Sequence, residues 1–342
     1  MQHLQKCGGE GAVIVTQGLS LERAPLQIVD VDFEELDPDC EVRLKFSLTV
    51  AILIAGSFLG FASKSAIPSD AFPADDQSAI LVGAGDIADC KDLAGAEATA
   101  KLLVQIPGTV FAAGDLAYPD GSKENFVCYD KTWGRVKSRT RPAPGNHEFH
   151  AAGATPYFDY FGAAAGDPKT GYYSYELGTW HIIVLNSECK DVGGCEAGSP
   201  QEKWLRADLA AHPVACTLAY WHKPLFSSGG AHGNDLTVQP LWQALYEANA
   251  DVILGGHDHD YERFAPQTPD GVADAKRGIR EFVVGTGGKN HRPFGKPKPN
   301  SELRDATAFG VLKLTLRADG YDWQFIPEAG KSFTDSGSGT CH

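Results

Sequence analysis

Residues that can bind metal ions follow several short apolar segments of this sequence. They comprise carboxylates, an amide, a phenol and imidazoles, namely Asp86, Asp115, Tyr118, Asn146, His222, His257 and His259. Because open α/β sheets place their sites beyond the carboxyl ends of strands, we expect these side chains to meet at one edge. Oxygen and imidazole donors together suit first-row metal ions. The set predicts a metal centre, and a carboxylate able to bridge indicates two ions roughly 3.5 to 4 Å apart.

Each of these residues taken alone has a simpler explanation. Asp86, Asp115 and Asn146 each follow a glycine, and such residues often bond nearby backbone in a turn. A single histidine at a strand end, such as His222, is more often a core or rim residue. The two histidines 257 and 259 would face the same side of a strand, which metal binding requires and chance also supplies. The prediction therefore depends on the joint pattern.

Alternating apolar and amphipathic segments predict the elements that position these residues. The predicted strands are 79–85, 109–114, 172–177, 180–186, 216–222, 251–257, 280–288, 310–320 and 321–327, and the predicted helices are 94–106, 199–212 and 239–250. The second helix has a complete start signature, with Ser199 as N-cap, Pro200 at the first helical position and Glu202 three residues after the cap. The last three strands are expected to form an antiparallel tail. The pattern predicts an α/β (α+β-like) fold with mixed sheets and helices on the outside.

Composition excludes several classes of protein. The 342 residues are 43% hydrophobic and 22% charged, which argues against wholesale disorder, collagen and a polytopic membrane protein. The formal net charge of -14 repels phosphate backbones, so a nucleic-acid partner is not expected. Oligomeric state is not predicted.

One N-terminal segment predicts export. Residues 46–62 carry no charge and follow Arg43 and Lys45, the layout of a secretory signal. We therefore predict a signal peptide at 42–66, a linker at 67–78, a catalytic domain at 79–342, and a non-native or unstructured extension at 1–41 if translation begins at Val42. The mature protein would be secreted or periplasmic without stable membrane association, although an uncleaved anchor is an alternative.

Six cysteines follow residues 46–62 in the sequence. An even number is expected for disulfides in an exported protein. They are Cys90, Cys128, Cys189, Cys195, Cys216 and Cys341. Cys189 and Cys195 close a short loop and are the first pair we predict. The sequence does not choose among the other connectivities, and pairing Cys90 with Cys128 and Cys216 with Cys341 is a conjecture. Free thiols in a cytosolic enzyme are the alternative.

Five ordered motifs resemble those of the calcineurin-like metallophosphoesterases. They are GDIA (85–88), GDLAY (114–118), GNHE (145–148), AYWH (219–222) and GHDHDYER (256–263). Tyr118 makes the set similar to the purple acid phosphatase branch, over about residues 79–326. Ala88 and Ala219 stand where that family usually has Gly and Val, and neither is a ligand. The resemblance implies a four-layer αββα sandwich and a single catalytic domain.

The resemblance also implies a ligand assignment. Asp115 would bridge two metals, the first held by Asp86, Tyr118 and His259 and the second by Asn146, His222 and His257. Phenolate and carboxylates are hard donors that favour Fe(III) at the Tyr118 site, whereas the second site suits Zn(II), Mn(II) or Fe(II).

The activity implied is hydrolysis of small phosphomonoesters by a metal-bound hydroxide that attacks phosphorus. His147 would face the substrate and stabilise the transferring oxygens or protonate the leaving group. His232 resembles a further substrate-side histidine, with a solvated loop residue as the alternative. Arg263 could reach phosphate or brace its loop in an ion pair.

Two other functions compete with this one. A phosphodiesterase acting on nucleotides or phospholipid head groups would use the same site. A catalytically inactive secreted metal-binding protein is the alternative from another class, although all predicted ligands and His147 are present. Four further histidines of the predicted domain lack a motif and are assigned surface or packing roles, namely His150, His181, His212 and His291.

Overall fold

Short apolar segments form the strands of the protein, whose computed structural model describes residues 78–342. The strands are β1 (Ala79–Ala84), β2 (Ala88–Asp89), β3 (Thr109–Ala113), β4 (Ala117–Tyr118), β5 (Thr140–Ala143), β6 (Tyr173–Leu177), β7 (Trp180–Val184), β8 (Cys216–Tyr220), β9 (Val252–Gly255), β10 (Tyr261–Phe264), β11 (Arg280–Val284), β12 (Ser301–Asp305), β13 (Gly310–Arg317), β14 (Gly320–Pro327) and β15 (Ser336–Thr340). Every predicted strand corresponds to one of these.

Helices occupy the intervening segments. The α-helices are α1 (Ala94–Gln105), α2 (Lys123–Thr132), α3 (Thr155–Phe161), α4 (Pro200–Ala211) and α5 (Gln239–Glu247), and the 3-10 helices are Trp133–Arg139, Glu148–His150, Ala152–Ala154, Gly162–Ala165, Cys189–Asp191 and Leu236–Val238. Helix α4 begins as predicted, because the side chain of Ser199 accepts a hydrogen bond from the backbone N–H of Glu202.

The strands build two large mixed sheets and one small pair. The first sheet has the order β15-β14-β13-β1-β3-β5, the second has the order β12-β10-β11-β9-β8-β7-β6, and β2 pairs with β4. Strands β1, β3 and β5 run parallel to one another, as do β7, β8, β9 and β11. The expected antiparallel tail is therefore correct for β13 and β14 and wrong for β11, which pairs parallel with β9. Residues 281–284 of β11 are buried on both faces of the sheet, which is typical of an inner parallel strand.

Alternation along the strands of the second sheet separates two cores. In β8, Leu218 and Tyr220 belong to the core shared with the first sheet, and the ring of Tyr220 lies 5.8 Å from that of Phe111 on β3. The intervening Ala219 faces the opposite core, which Leu205 of α4 shares. Helix α1 packs on the outer side of the first sheet against β13. The predicted αββα order of four layers is confirmed.

Three disulfides lie within the described residues, and two of them link segments that are far apart in the sequence. They are Cys90–Cys128, Cys189–Cys195 and Cys216–Cys341, so all three predicted pairs are present. The last closes a loop of 125 residues and ties the start of β8 to the C-terminal segment. Cross-links over long loops restrict the unfolded chain most.

The predicted extension, signal peptide and most of the linker lie outside the described residues. Within residues 78–342, no helix is long and apolar enough to cross a bilayer. The domain boundary at residue 79 stays a prediction.

A buried histidine joins three elements of the second sheet and its helix layer. His181 on β7 is 1% exposed, and its Nδ1 lies 2.8 Å from Glu176 of β6 while its Nε2 lies 2.7 Å from Asp208 of α4. The ring of His212 stacks on it at 4.3 Å. Burial opposes the charge of His181, but the two carboxylates outweigh burial and raise its pKa. We infer an imidazolium held between two carboxylates.

The unfolding free energy should therefore depend on pH through His181. A histidine whose pKa is raised on folding stabilises the fold below its unfolded pKa of about 6.5, and this contribution is lost as pH rises through the folded pKa. Denaturant unfolding at about pH 6 and about pH 9 should show a smaller loss of stability on alkalinisation in His181→Gln than in the wild type. The exposed His150→Gln serves as control. Equal losses in the wild type and both variants would contradict the role.

Candidate metal centre

The strand ends of both large sheets deliver the predicted ligands to one edge of the sandwich. Asp86 follows β1 and Asp115 follows β3 in the first sheet, and His222 follows β8 in the second. The full set is Asp86, Asp115, Tyr118, Asn146, His222, His257 and His259, which we call the candidate metal centre. Six non-glycine residues of the described chain have positive φ, and three of these belong to the set: Asp86, Asp115 and His257. Backbone strain of this kind concentrates at functional sites.

The phenol of Tyr118 lies against a carboxylate-rich side of the candidate metal centre. Its hydroxyl donates to Asp86 Oδ1 at 2.8 Å and lies 3.1 Å from Asp115 Oδ2 and 3.2 Å from His259 Nε2. His259 Nε2 is in turn 3.4 Å from Asp86 Oδ1. The three side chains assigned to the first metal therefore surround a common space that one oxygen of Asp115 also faces.

The same oxygen of Asp115 faces the imidazoles. Asp115 Oδ2 lies 3.1 Å from His222 Nε2, and that nitrogen lies 3.1 Å from His257 Nδ1. Asp115, His222 and His257 thus form a cluster whose ligand atoms all lie within 4.8 Å of one another. One carboxylate oxygen is shared by the phenol side and the imidazole side, as a bridging ligand requires.

Backbone carbonyls orient two of the imidazoles. His222 Nδ1 lies 2.9 Å from the carbonyl of Ala113, and His259 Nδ1 lies 2.7 Å from the carbonyl of Asn290. A hydrogen bond at Nδ1 places the proton there and leaves Nε2 with its lone pair. Both Nε2 atoms point into the candidate metal centre, so both rings are arranged to donate electron pairs.

Glu148 fastens the two loops of the first sheet together beneath the ligands. Its buried carboxylate accepts backbone N–H bonds from Asp115, Leu116 and Ala117 at 2.9 to 3.2 Å and from Gly145 at 2.8 Å. The loop after β3 and the loop after β5 therefore share one acceptor. Asp115 Oδ1 adds a further link, because it accepts the backbone N–H of His147 at 2.8 Å.

Two glycines allow the loops to approach the carboxylates. A Cβ at Gly145 would lie 2.3 Å from Asp115 Oδ1, and a Cβ at Gly256 would lie 2.6 Å from Asp86 Oδ2. Any side chain at either position would displace a predicted ligand. Glycine is therefore required at positions 145 and 256, because the backbone at both positions packs closely against a carboxylate.

Burial and crowding shift the pKa values of these groups. Burial, together with the carboxylates Asp115 and Asp86, raises the pKa of Tyr118 well above its usual value. Burial lowers the pKa of His259 to about 3, and burial with the neighbouring His222 lowers that of His257. Burial opposes the charge of His222, but Asp115 outweighs burial and raises the pKa of His222 to about 10, so this ring must give up its Nε2 proton when a cation binds. His257 and His259 are thus neutral, as metal-binding imidazoles must be.

The residues present fit a pair of metal ions. The side-chain oxygen Oδ1 of Asn146 is buried without a hydrogen-bond partner within the described part of the chain, and such an atom is costly unless something binds it. The donor set of two carboxylates, a phenol, an amide and three imidazoles matches the preferences of first-row cations. A cation would also offset the charge of Asp86 and Asp115, which are both fully buried.

Two further predicted residues lie at the rim of the candidate metal centre. The ring of His147 lies 4.3 Å from that of Tyr118, and its Nε2 is 3.7 Å from Asp115 Oδ2. The ring of His232 stacks on His257 with centroids 3.9 Å apart. His232 is therefore brought beside a predicted ligand, although it stands in a separate loop of the sequence.

The surroundings of Arg263 differ from those of His147 and His232. It lies on β10, where its guanidinium pairs with Asp335 and Glu302 and lies over the ring of Trp323. This placement corresponds to the bracing ion pair considered from the sequence and not to a contact with phosphate.

Sequence reasoning overlooked three residues around the site. Glu148 and Asp258 lie inside the quoted motifs but were given no role, and Arg292 lies outside them. The buried Asp258 accepts from Ser227 Oγ at 2.5 Å and from the backbone of His232 and Gly233 at 3.2 and 3.0 Å. It thereby attaches the loop 227–233 to the segment that carries the ligand histidines. Its position between two ligands of a GHDH motif was the available signal.

Comparison with known proteins agrees with this geometry. The family model of the calcineurin-like phosphoesterases matches residues 70–261, which include all seven residues of the candidate metal centre. The chain belongs to the calcineurin-like phosphoesterase family. Among members of this family, it is 28% identical over 149 residues to purple acid phosphatase 15 of Arabidopsis thaliana, covering 38% of this chain and 27% of the relative. It is 28% identical over 227 residues to purple acid phosphatase 21 of the same plant, covering 59% and 49%.

A solved structure supports the calcineurin-like phosphoesterase fold. The purple acid phosphatase PPD1 isolated from yellow lupin seeds superposes with a TM-score of 0.66 at 21% identity, over 78% of this chain and 54% of that one. The chain spans about half or less of the length of these two curated relatives. The family model establishes the family, and the likeness to the solved structure establishes the fold.

Proposed function

We propose that this calcineurin-like phosphoesterase is a dinuclear-metal phosphatase that hydrolyses small phosphomonoesters. The observation that carries the proposal is the position of Asp115 Oδ2, 3.1 Å from both the phenol oxygen of Tyr118 and Nε2 of His222. Two sets of donors share this oxygen, and the unpartnered oxygen of Asn146 adds a further ligand. The family and the similarity to purple acid phosphatases support the same activity.

The residues divide into two groups of ligands around the shared carboxylate. Asp86, Tyr118 and His259 would hold one metal, Asn146, His222 and His257 the other, and Asp115 both. Bound there, paired cations lower the pKa of water and neutralise charge on phosphoryl oxygens. Hard oxygen donors suit Fe(III) at the Tyr118 position, whereas the imidazole-rich position suits Zn(II), Mn(II) or Fe(II).

His147 is placed to act on the leaving group. Its Nδ1 lies 2.5 Å from the carbonyl of Pro119, which fixes the ring and leaves Nε2 toward the candidate metal centre. The ring is 24% exposed, so a substrate can reach it. An imidazole held this way can stabilise a transferring oxygen or donate a proton to the departing alkoxide.

Hydrolysis of model esters tests the activity. We expect purified protein to release nitrophenol faster from a nitrophenyl phosphomonoester than from the bis-ester. Faster bis-ester turnover would favour the phosphodiesterase alternative. Two bound metals with no turnover of either ester would favour the inactive metal-binding alternative.

The visible spectrum tests the phenol ligand. Protein purified without added metals should contain iron and show a violet band from charge transfer between phenolate and Fe(III). Tyr118→Phe should lose the band, because it removes the phenolate oxygen and leaves the ring. The matched control is Tyr160→Phe, since Tyr160 bonds Asp130 on the surface. A wild-type protein without iron and without the band would contradict the metal assignment.

Export is part of the proposal. Three disulfides are expected in an oxidising compartment, and the apolar segment 46–62 has the composition of a signal h-region. We propose a secreted or periplasmic enzyme.

A further inference from the structure

A cationic side chain lies beside the candidate metal centre without an acidic partner. The guanidinium of Arg292 donates from Nη1 to His232 Nε2 at 2.9 Å, and His232 stacks directly on the predicted ligand His257. Arg292 forms no ion pair with any carboxylate of the described residues, and it is half-buried. Although the chain has a net charge of -14, the guanidinium of Arg292 at this rim is thus not paired with a carboxylate of the described residues.

The backbone fixes the position of this arginine. The N–H of Arg292 donates to the carbonyl of His259 at 3.3 Å. The backbone of Arg292 is therefore attached to a segment that carries a predicted ligand. Pro293 accepts from Gly230 at 3.0 Å, and Gly295 donates to Ser228 at 2.7 Å. Segment 290–295 is therefore bonded to the loop 227–233 that carries His232.

The contact with His232 uses one donor of the guanidinium. His232 Nε2 accepts the N–H of Arg292 Nη1 at 2.9 Å, and the other N–H groups of the fork remain available.

We propose that Arg292 binds the phosphate oxygens of a dianionic monoester and thereby sets a preference for phosphomonoesters over diesters. The proposal rests on the phosphatase function proposed above. A monoester carries a charge of about −1.5 to −2 near pH 7 and offers three oxygens, whereas a diester carries one charge and two free oxygens. The guanidinium fork suits the additional oxygen and charge of the monoester. His232 is then a positioning residue that holds this fork.

Steady-state kinetics of Arg292→Ala and Arg292→Lys in the full chain with its metals test the proposal. For Arg292→Ala we expect kcat/KM for the nitrophenyl monoester to fall about tenfold or more. The value for the bis-ester should fall by less than about twofold. Arg292→Lys should recover part of the loss, because it keeps the charge without the fork. Equal losses for both esters, or no loss for either, would overturn the proposal.

Calorimetric binding of inorganic phosphate separates this inference from the phosphatase function. The Kd for phosphate should rise about tenfold in Arg292→Ala, with metal content unchanged. Arg277→Ala is the matched control, since its guanidinium is exposed and bonds Asn249 far from the site. Absence of any ester turnover by the wild type would contradict the phosphatase function alone. An unchanged Kd in both Arg292 variants would contradict the role of Arg292.

Discussion

Asp115→Ala is expected to abolish the pairing of the metals and the hydrolytic activity together. The variant removes the one oxygen that lies 3.1 Å from both the phenol and the imidazole sides. Paired cations supply several kcal/mol of charge stabilisation in the transition state, so kcat/KM should fall roughly a thousandfold or more. Metal analysis of the purified variant should show substantially less than the wild-type content.

A surface carboxylate provides the control for this variant. Asp159→Ala removes an exposed group that pairs with Lys123 at 3.4 Å, and it should keep both metal content and activity. Asp115→Asn retains one oxygen donor without the charge and should fall between the wild type and Asp115→Ala. Unchanged metal content in Asp115→Ala would refute the bridging role.

Glu148→Ala should have the largest effect on stability among non-ligands. It leaves buried backbone N–H groups of the loops after β3 and β5 without their common acceptor. Buried donors without partners are costly, and we expect a loss of roughly 3 to 5 kcal/mol in the free energy of unfolding. The affinity for metal should fall as well, because the loop that holds Asp115 loses its support.

Denaturant unfolding and metal titration check this expectation. Glu124→Ala removes an exposed carboxylate from the first turn of α2 and should change stability by about 0.5 kcal/mol or less. Glu148→Gln should also be destabilising, since an amide brings N–H donors against the backbone donors it faces. If Glu148→Ala had wild-type stability and wild-type metal affinity, the loops after β3 and β5 would not need Glu148 for their conformation, and the expectation would be wrong.

The sequence revealed the fold wherever local patterns are strong. Apolar segments of strand length and the capping box at Ser199 predicted β8, β9 and α4 because period and capping are local properties. Helix α2 was not predicted because its segment 123–132 is mostly polar, and helix α3 was not predicted because it has only 7 residues. Pairing of β11 with β9 was also missed, because the neighbours of a strand are set by contacts between distant segments.

In the candidate metal centre, too, local patterns could be predicted from the sequence and contacts between distant segments could not. The ordered motifs contain Tyr118, His222 and His257, which the structure places beside Asp115, because these residues stand at strand ends or directly after them. They did not distinguish Arg263 from Arg292, since the number of residues between a ligand and an arginine does not say which way its guanidinium turns. Glu148 and Asp258 act through backbone groups of other loops, and no one-dimensional pattern shows such bonds.

The attachment of Asp258 constrains how enzymes of this design can acquire new specificity. Its carboxylate joins the loop 227–233 to the residues flanking it in the GHDH motif. Replacements in that loop would disturb catalysis and recognition at once, so they would be selected against. Segment 290–295 reaches the same rim, and it orients the ligand His259 through the backbone carbonyl of Asn290, which a side-chain replacement leaves in place. Adaptation to new esters should therefore proceed through substitutions at 290–295.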